Sequence, residues 1–391
     1  MKHYKYLIIG GGMTGDAAVR GIRELDTDGS IGMIGDETDM PYARPPLSKG
    51  MWKGRPFEKV WRGTDKLNVE FHLGRHVTQL DPAAKRVRDD QGDEYTYDKV
   101  LLATGGTPNQ LPFGKEDIIY YRTLQDYIHL RELTEKHQDF LVIGGGFIGS
   151  EIAAALAMNG KHVTMVFKEE SIGERVYPAD ISKYIDDTFK RKGVELLPAD
   201  SIVSFEKNGG RYDVRMKSGH TVQADVVVGG IGIRPNIDLA NSAGLKVHNG
   251  IVVDDHQRTS APDVYAAGDV AMFPYEILGR MIRVEHEDNA LRMGKQAGRN
   301  MAGADEAYTH APYFYSDLFE IGYEAIGTLS SKLQTYADWQ DPYQKGVIYY
   351  LDQGRVRGIL LWNVWEKLKD ATAVLADPGP FQPEQLKGRI K

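Results

Sequence analysis

The stretch FLVIGGGFIGSEIAAALAMNG, residues 140–160, decides the fold. It opens on a short apolar run, Phe140 to Ile143, of the length that suits a strand buried in a parallel sheet. Gly144, Gly146 and Gly149 follow, and the chain continues as an Ala-rich helix that stops at Asn159-Gly160. Strand, glycine turn and helix in this order are the setting of a dinucleotide fingerprint. The first glycine permits the turn, the second lets a pyrophosphate approach the backbone, and the third lets helix and strand pack closely. The phosphates would rest on free N–H groups at the positive end of the helix. One copy is a weak signal, because glycine-rich strand exits are common in α/β proteins.

A second copy lies upstream. YKYLIIGGGMTGDAAVRGIREL, residues 4–25, carries Gly10, Gly12 and Gly15, and Gly144 follows Gly10 by 134 residues. An offset of that size is a duplicated nucleotide-binding fold, not a short repeat. Each copy is followed by a second strand, Ile31–Ile34 or Val163–Phe167, and then by an acid. Asp36 stands 21 residues after Gly15, and Glu169 stands 20 after Gly149. That spacing places a carboxylate to accept hydrogen bonds from a ribose 2′-hydroxyl. Taken singly, each acid reads equally well as a solvated strand end.

Each copy also has an exit strand closed by Gly and Pro. Lys99–Ala103 runs into Thr104-Gly105-Gly106-Thr107-Pro108, and Asp225–Val228 runs into GGIGIRPN, which includes Gly232. A third such strand, Asp263–Ala267, ends in Gly268-Asp269 and is expected to return to the first sheet. The predicted fold is α/β, with two Rossmann-like domains, the second inserted in the first, and a small α+β domain at the C-terminus. The expected boundaries are 1–112 plus 244–303 for the first, 113–243 for the second and 304–391 for the third. Segments 68–98 and 200–224 alternate apolar and polar residues and read as antiparallel β inserts. Residues 313–330 and 347–362 read as aromatic strands, followed by a helix over 364–376.

Composition narrows the chemistry. The 391 residues contain no cysteine, which excludes a disulfide framework, a thiolate metal site and a redox dithiol. Electron chemistry would therefore be carried by bound cofactors, and no metal site is expected. The net charge of -7 gives no electrostatic support to nucleic-acid binding. No apolar run approaches the ~18 residues needed to span a bilayer, and with a first strand that starts by Tyr4 no leader is expected in this sequence. We expect a soluble, cytoplasmic protein, without membrane insertion. Two dinucleotide folds in a thiol-free chain suggest a flavin and a nicotinamide that exchange a hydride. Such a site must align two rings within roughly 3–3.5 Å and offer positive potential where charge gathers.

Several runs sharpen this. PYARPPLSK (41–49), ATGGTP (103–108), GGGFIGSE (144–151) and AAGD (266–269) resemble the NADH-dependent ferredoxin reductase type of FAD flavoprotein. RVEHEDNA (283–290), YSDL with GYEAIG (315–327) and GILLWN (358–363) resemble most the apoptosis-inducing factor branch of that superfamily. The resemblance covers almost the whole chain. It implies a tightly held FAD at Gly10, Gly12, Gly15, Asp36, Arg44, Lys49, Thr104, Gly105, Arg122, Gly268, Asp269 and Tyr315. It implies an exchangeable NADH at Gly144, Gly146, Phe147, Gly149, Glu151, Glu169, Gly232 and Glu324.

The resemblance also assigns roles: Lys49 and Glu151 as an ion pair near flavin N5, Phe147 as a shield of the nicotinamide site, and His286 packed by the nicotinamide. By itself Glu151 reads equally as an acid opposing a helix dipole. His286 is expected to open a helix running to about Asn300, whose N-terminal partial charge would face the flavin. Tyr315 departs from the tryptophan usual in the relatives. Glu169 favours NADH over NADPH by repelling a 2′-phosphate, although Lys168 and Arg175 lie close in sequence.

Three fates of the electrons follow from the resemblance. The first is a small redox protein such as a ferredoxin or rubredoxin, steered by Lys49, Lys53, Arg55, Lys59 and Arg62, against which only Glu58 stands in residues 49–63. The second is O₂, as in an NADH oxidase. The third is slow turnover in a redox-sensing interaction protein whose dimerisation changes on reduction; on any of the three the chain is expected as a monomer or homodimer. The short interval between Gln334 and Val347 leaves no room for the long regulatory insertion of the animal apoptosis-inducing factors.

Overall fold

The structure is a computed structural model that describes residues 1–114 and 116–390. The chain forms two compact units. The first comprises residues 1–44, 56–107 and 234–312; the second comprises 45–55, 108–233 and 313–391.

The first unit is built on a parallel sheet ordered Glu70–Leu73, Ile31–Gly35, Lys2–Ile9 and Glu94–Leu102. The long strand Glu94–Leu102 serves two partners. Its opening residues pair antiparallel with Arg86–Asp89, and its end pairs in parallel with Val264–Ala266. The late strand thus returns to the first sheet, as its glycine exit suggested. In the 68–98 insert, Val77–Asp81 and Arg86–Asp89 form the expected antiparallel pair, whereas Glu70–Leu73 joins the main sheet in parallel. Leu7, Ile8, Leu101 and Leu102 are fully buried, because helices cover a parallel sheet and its strands read as unbroken apolar runs. Each such side chain contributes about 1.5–3 kcal/mol by burial. The helices Met13–Arg23 and Glu287–Met301 pack against each other. Their contact is close: a Cβ on Gly298 would lie 2.0 Å from the Ala18 carbonyl oxygen.

The second unit repeats the plan. Its parallel sheet is ordered Val194–Leu197, His162–Val166, Asp139–Ile143, Val226–Gly229 and Ile118–Tyr120. Helix Phe147–Met158 follows the central strand, and Ala179–Arg191 precedes Val194–Leu197. A three-stranded antiparallel sheet, Ile202–Asn208, Arg211–Met216 and Thr221–Ala224, occupies the expected insert. The C-terminal residues add a five-stranded antiparallel sheet ordered Tyr313–Leu318, Ile321–Gly327, Arg355–Trp362, Lys345–Asp352 and Gln334–Asp341. A helix, Leu368–Ala376, packs on it and begins four residues later than its apolar pattern suggested.

Candidate dinucleotide and hydride-transfer sites

Both glycine turns have the geometry that the fingerprint requires. Gly10 and Gly144 lie at φ +123° and +110°, where a Cβ would meet the carbonyl oxygens of Ala103 and Gly230 at 2.1 and 2.4 Å. Only glycine fits either position. Gly15 and Gly149 stand over the turns they close, each with a Cβ position 2.3 or 2.0 Å from the carbonyl of its first glycine. Gly12 and Gly146 differ: they are the N-cap residues of their helices, and a Cβ on either would meet nothing within 4 Å. Each helix therefore presents N-terminal N–H groups, with no side-chain cap, toward a space that a pyrophosphate could enter. The chain fits a dinucleotide at both turns.

In the first unit, Asp36 follows strand Ile31–Gly35 and is exposed, with the His76 ring 3.1 Å away. Arg44 is held by residues that sequence reading missed. Its guanidinium donates to the Tyr42 hydroxyl at 2.9 Å and to the Glu37 carboxylate, while lying 5.1 Å from the centre of the Tyr42 ring. Thr104 and Gly105 are tied to Asn236: the Asn236 side chain donates to the Thr104 carbonyl at 2.8 Å, and its N–H to the Gly105 carbonyl at 3.0 Å. Gly268 (φ +78°) opens the turn that carries Asp269, whose carbonyl accepts from Arg283 at 2.9 Å. His286 is the N-cap residue of helix Glu287–Met301, so this helix begins where it was expected. Burial pushes the His286 imidazole down to about 4, against the opposing charges of Asp269 and Asp288. It is neutral near pH 7 and can act as a hydrogen-bonding or packing group without adding charge.

In the second unit the sequence-predicted residues converge around Glu151. This carboxylate sits in the first turns of helix Phe147–Met158 and is 3% exposed. Its Oε2 accepts from the Lys49 ammonium at 2.7 Å and from the Ser48 hydroxyl at 2.6 Å. Its Oε1 accepts from the Ser316 hydroxyl at 2.5 Å. Lys49 also stands 5.4 Å from the centre of the Tyr315 ring. Phe147 is partly exposed beside Phe314, with ring centres 5.2 Å apart. A buried ion pair offsets its desolvation only when its remaining hydrogen-bonding capacity is filled, and here two hydroxyls fill it.

The other residues expected on the nicotinamide side are spread over the same unit. Glu169, just past the end of strand His162–Val166, pairs with Arg175 at 2.6 Å. Gly232 (φ +86°) offers its carbonyl to the Asn109 N–H at 2.9 Å. Glu324 lies opposite Tyr315 across adjoining strands. Its Oε2 is buried and has no hydrogen-bond partner among the described residues. Burial, with the charge of Glu366, pushes its carboxyl up. A buried polar atom left over in this way calls for a partner that the described side chains do not supply. Arg122 precedes helix Leu124–Thr134, and its N–H donates to Asp126 at 2.9 Å.

Ser48, Ser316, Glu37 and Tyr42 are the neighbours of Glu151 and Arg44 that motif reading missed. Ser48 and Tyr42 stand inside the PYARPPLSK run, so their motif was visible although their contacts were not. Ser316 is 165 residues from Glu151, and nothing in local spacing connects them.

Two nucleotide-binding folds, each with an open cradle, and a lysine–carboxylate pair beside one of them define a class: a two-dinucleotide protein of oxidoreductase type. The chain belongs to the pyridine nucleotide-disulphide oxidoreductase family, whose model matches residues 4–294. The C-terminal domain of mitochondrion-associated apoptosis-inducing factor matches 297–341 and 336–377. Apoptosis-inducing factor 1 of Dictyostelium discoideum is 34% identical over 95% of this chain and 78% of its own. Putidaredoxin reductase CamA of Pseudomonas putida is 30% identical over 97% of this chain and 93% of its own. The solved covalent complex of putidaredoxin reductase with putidaredoxin superposes with a TM-score of 0.90 at 29% identity, covering 99% of this chain and 96% of that one. The enzyme class is thus FAD-dependent oxidoreductase that works with a nicotinamide dinucleotide. No helix among the described residues is long and apolar enough to cross a membrane.

Proposed function

We propose that this chain takes hydride from NADH onto its FAD and passes the electrons to a small redox protein of the ferredoxin or rubredoxin kind. The observation that carries the reading is the buried Lys49–Glu151 pair in the first turns of the second nucleotide-binding helix. When bound, FAD accepts two electrons as hydride and can release them singly. The chain's own part is to bind both dinucleotides, to keep water from the pair, and to hold a cation with a fixed carboxylate beside it. Gly10, Gly12, Gly15, Asp36, Arg44, Thr104, Gly105, Gly268 and Asp269 would hold FAD. Lys49, Arg122 and Tyr315 are further candidates for FAD by family resemblance. Gly144, Gly146, Phe147, Gly149, Glu151, Glu169, Gly232 and Glu324 would receive NADH, and His286 is a candidate for the nicotinamide by the same resemblance.

Of the five cations in residues 49–63, Lys49 and Arg62 are engaged by Glu151 and Asp16. Lys53, 4.0 Å from Asp317, and Arg55 and Lys59 are exposed, and the positive balance of this stretch would steer an acidic partner.

The match to the apoptosis-inducing factor C-terminal domain favours a second reading, a redox-sensing interaction protein with slow turnover. One experiment separates the two, with the oxidase as a third outcome. The FAD-loaded protein is mixed with one equivalent of NADH without oxygen, then given ferredoxin or air. Rapid reoxidation by ferredoxin alone supports the reductase, and rapid reoxidation by air the oxidase. A persistent long-wavelength charge-transfer band with NADH-dependent dimer formation supports the sensor. Failure to bind FAD overturns all three.

A further inference from the structure

We propose that the second unit carries a relay of tyrosine and tryptophan rings that leads oxidising equivalents from its interior to the surface at Tyr343. Tyr323 stacks on Trp362, with ring centres 6.0 Å apart and planes 1° apart. Trp362 meets Tyr184 edge-on at 6.4 Å, and Tyr184 stacks on Tyr343 at 5.4 Å with planes 13° apart. Tyr323 and Trp362 are sealed from solvent, whereas Tyr184 and Tyr343 are half-buried. The sealed end adjoins the Lys49–Glu151 pair: Tyr323 stands opposite Ser316 across adjoining strands, and the Ser316 hydroxyl donates to Glu151 at 2.5 Å. The proposal rests on the reading that FAD binds beside that pair.

Packing alone does not call for these residue types, since phenylalanine would fill the ring positions with no polar group to desolvate. Indole and phenol are the aromatic side chains that yield an electron to a strong one-electron oxidant. A chain without cysteine has no thiol to intercept that oxidant first. Three details at the outer end suit a relay. The Trp362 Nε1–H donates to the Tyr343 carbonyl at 2.9 Å, a hydrogen-bonded bridge beside the path over Tyr184. The Tyr343 hydroxyl donates to the carboxylate of the exposed Asp180 at 3.3 Å. Tyr343 itself has a left-handed backbone at φ +59°, which a side chain of its size rarely adopts, so the fold holds the turn that presents this ring.

An oxygen-derived radical formed beside the flavin is the oxidant, and it takes one electron from Trp362 by way of Tyr323. Trp362 keeps its Nε1 proton on the Tyr343 carbonyl, so the oxidised indole is a cation radical. One electron then passes from Tyr343 to Trp362, and the Tyr343 phenol proton moves to the Asp180 carboxylate. The Tyr343 O–H bond is the only bond of the chain that breaks. The oxidant has gained one electron, and a neutral phenoxyl radical remains at the surface. A soluble thiol restores Tyr343 by supplying one electron and one proton. Direction follows from the two proton acceptors: a carbonyl leaves the proton on the indole, whereas a carboxylate removes it from the phenol and makes Tyr343 the lower end.

The test uses the full chain loaded with FAD, and blue light on the bound flavin supplies a one-electron oxidant in place of the oxygen radical. Illumination with a nitroso spin trap, followed by peptide mass mapping, should place most of the adduct on Tyr343. A lesser part should fall on Trp339, whose ring centre lies 5.4 Å from that of Tyr343. Trp362→Phe keeps a ring in place but cuts the relay, and the Tyr343 adduct should fall several-fold. Asp180→Asn removes the proton acceptor and should lower the Tyr343 adduct in the same direction. Thermal unfolding and flavin content are measured in parallel. An unchanged Tyr343 adduct in folded, flavin-loaded Trp362→Phe overturns the relay, as does wild-type adduct confined to residues off the path. If Trp362→Phe does not fold, the exposed substitution Asp180→Asn is judged by the same loss. A chain that binds no FAD overturns the flavin reading and the relay with it, whereas flavin-loaded protein without Tyr343 adduct overturns the relay alone.

Discussion

The Lys49 ammonium lies 2.7 Å from the Glu151 carboxylate, and the two side chains are only 12% and 3% exposed. Removing one partner of such a pair leaves the other buried without its counter-charge, which costs about 3–5 kcal/mol in comparable buried sites. Glu151→Ala should slow flavin reduction by NADH about 10²–10³-fold, the loss typical of one preorganised electrostatic group. FAD should remain bound, because the first-unit cradle is untouched. Stopped-flow bleaching of the visible flavin band checks this, and release of FAD would instead mark Glu151 as structural.

Coenzyme choice should turn on Glu169 and Arg175. The pair is 2.6 Å long, but Arg175 is 79% exposed, so it contributes at most about 1 kcal/mol to stability. Glu169→Ala removes the repulsion toward a 2′-phosphate and frees Arg175 to receive one. The ratio of kcat/KM for NADPH to that for NADH should rise about tenfold or more, the equivalent of ~1.4 kcal/mol. Thermal unfolding should barely change. Arg175→Ala on top of Glu169→Ala should erase the gain in NADPH use.

How much of this was legible follows from the kind of signal each part carries. The two nucleotide folds were readable because their strands are short unbroken apolar runs and their turns need glycine at fixed offsets. The return of Val264–Ala266 to the first sheet was readable from its glycine exit. The parallel pairing of Glu70–Leu73 was not, since four residues of mixed character hold no period that separates parallel from antiparallel. Lys49, Glu151 and His286 stand in runs whose family resemblance named them. Ser316, although inside the YSDL run, is not marked as a partner of Glu151. Its hydroxyl meets that carboxylate only because the fold brings together residues 165 positions apart, and as a single residue it looks like an ordinary strand serine.

Acid should destabilise the fold through His286. Its imidazole is held down at about 4, below its ordinary value of 6.5. Between those two values the unfolded chain binds a proton that the folded chain does not, so stability falls as pH drops through this window and levels off below about 4. Above 6.5 the imidazole is neutral in both states and the contribution is constant. Urea unfolding of the apoprotein at neutral pH and at two points inside that window checks this. His286→Asn should flatten the fall over that interval, and an unchanged slope would show that other groups dominate.

The glycines of each turn should separate folding from binding. Gly146 caps its helix with open space where a Cβ would stand, whereas a Cβ on Gly149 would lie 2.0 Å from the Gly144 carbonyl oxygen. Gly146→Ala should therefore fold with near-normal stability, yet lose NADH affinity because its methyl occupies the space that the pyrophosphate needs. Gly149→Ala must push helix and turn apart, a backbone clash that no rotamer change relieves. It should lower the unfolding midpoint or prevent folding. The same contrast applies in the first unit, where Gly12 is open and a Cβ on Gly15 would lie 2.3 Å from the Gly10 carbonyl oxygen. There the expected readout is FAD retention on purification: Gly12→Ala should yield folded protein with weakened FAD binding, and Gly15→Ala little folded protein. Equal stability of Gly146→Ala and Gly149→Ala would contradict the packing on which both cradles depend.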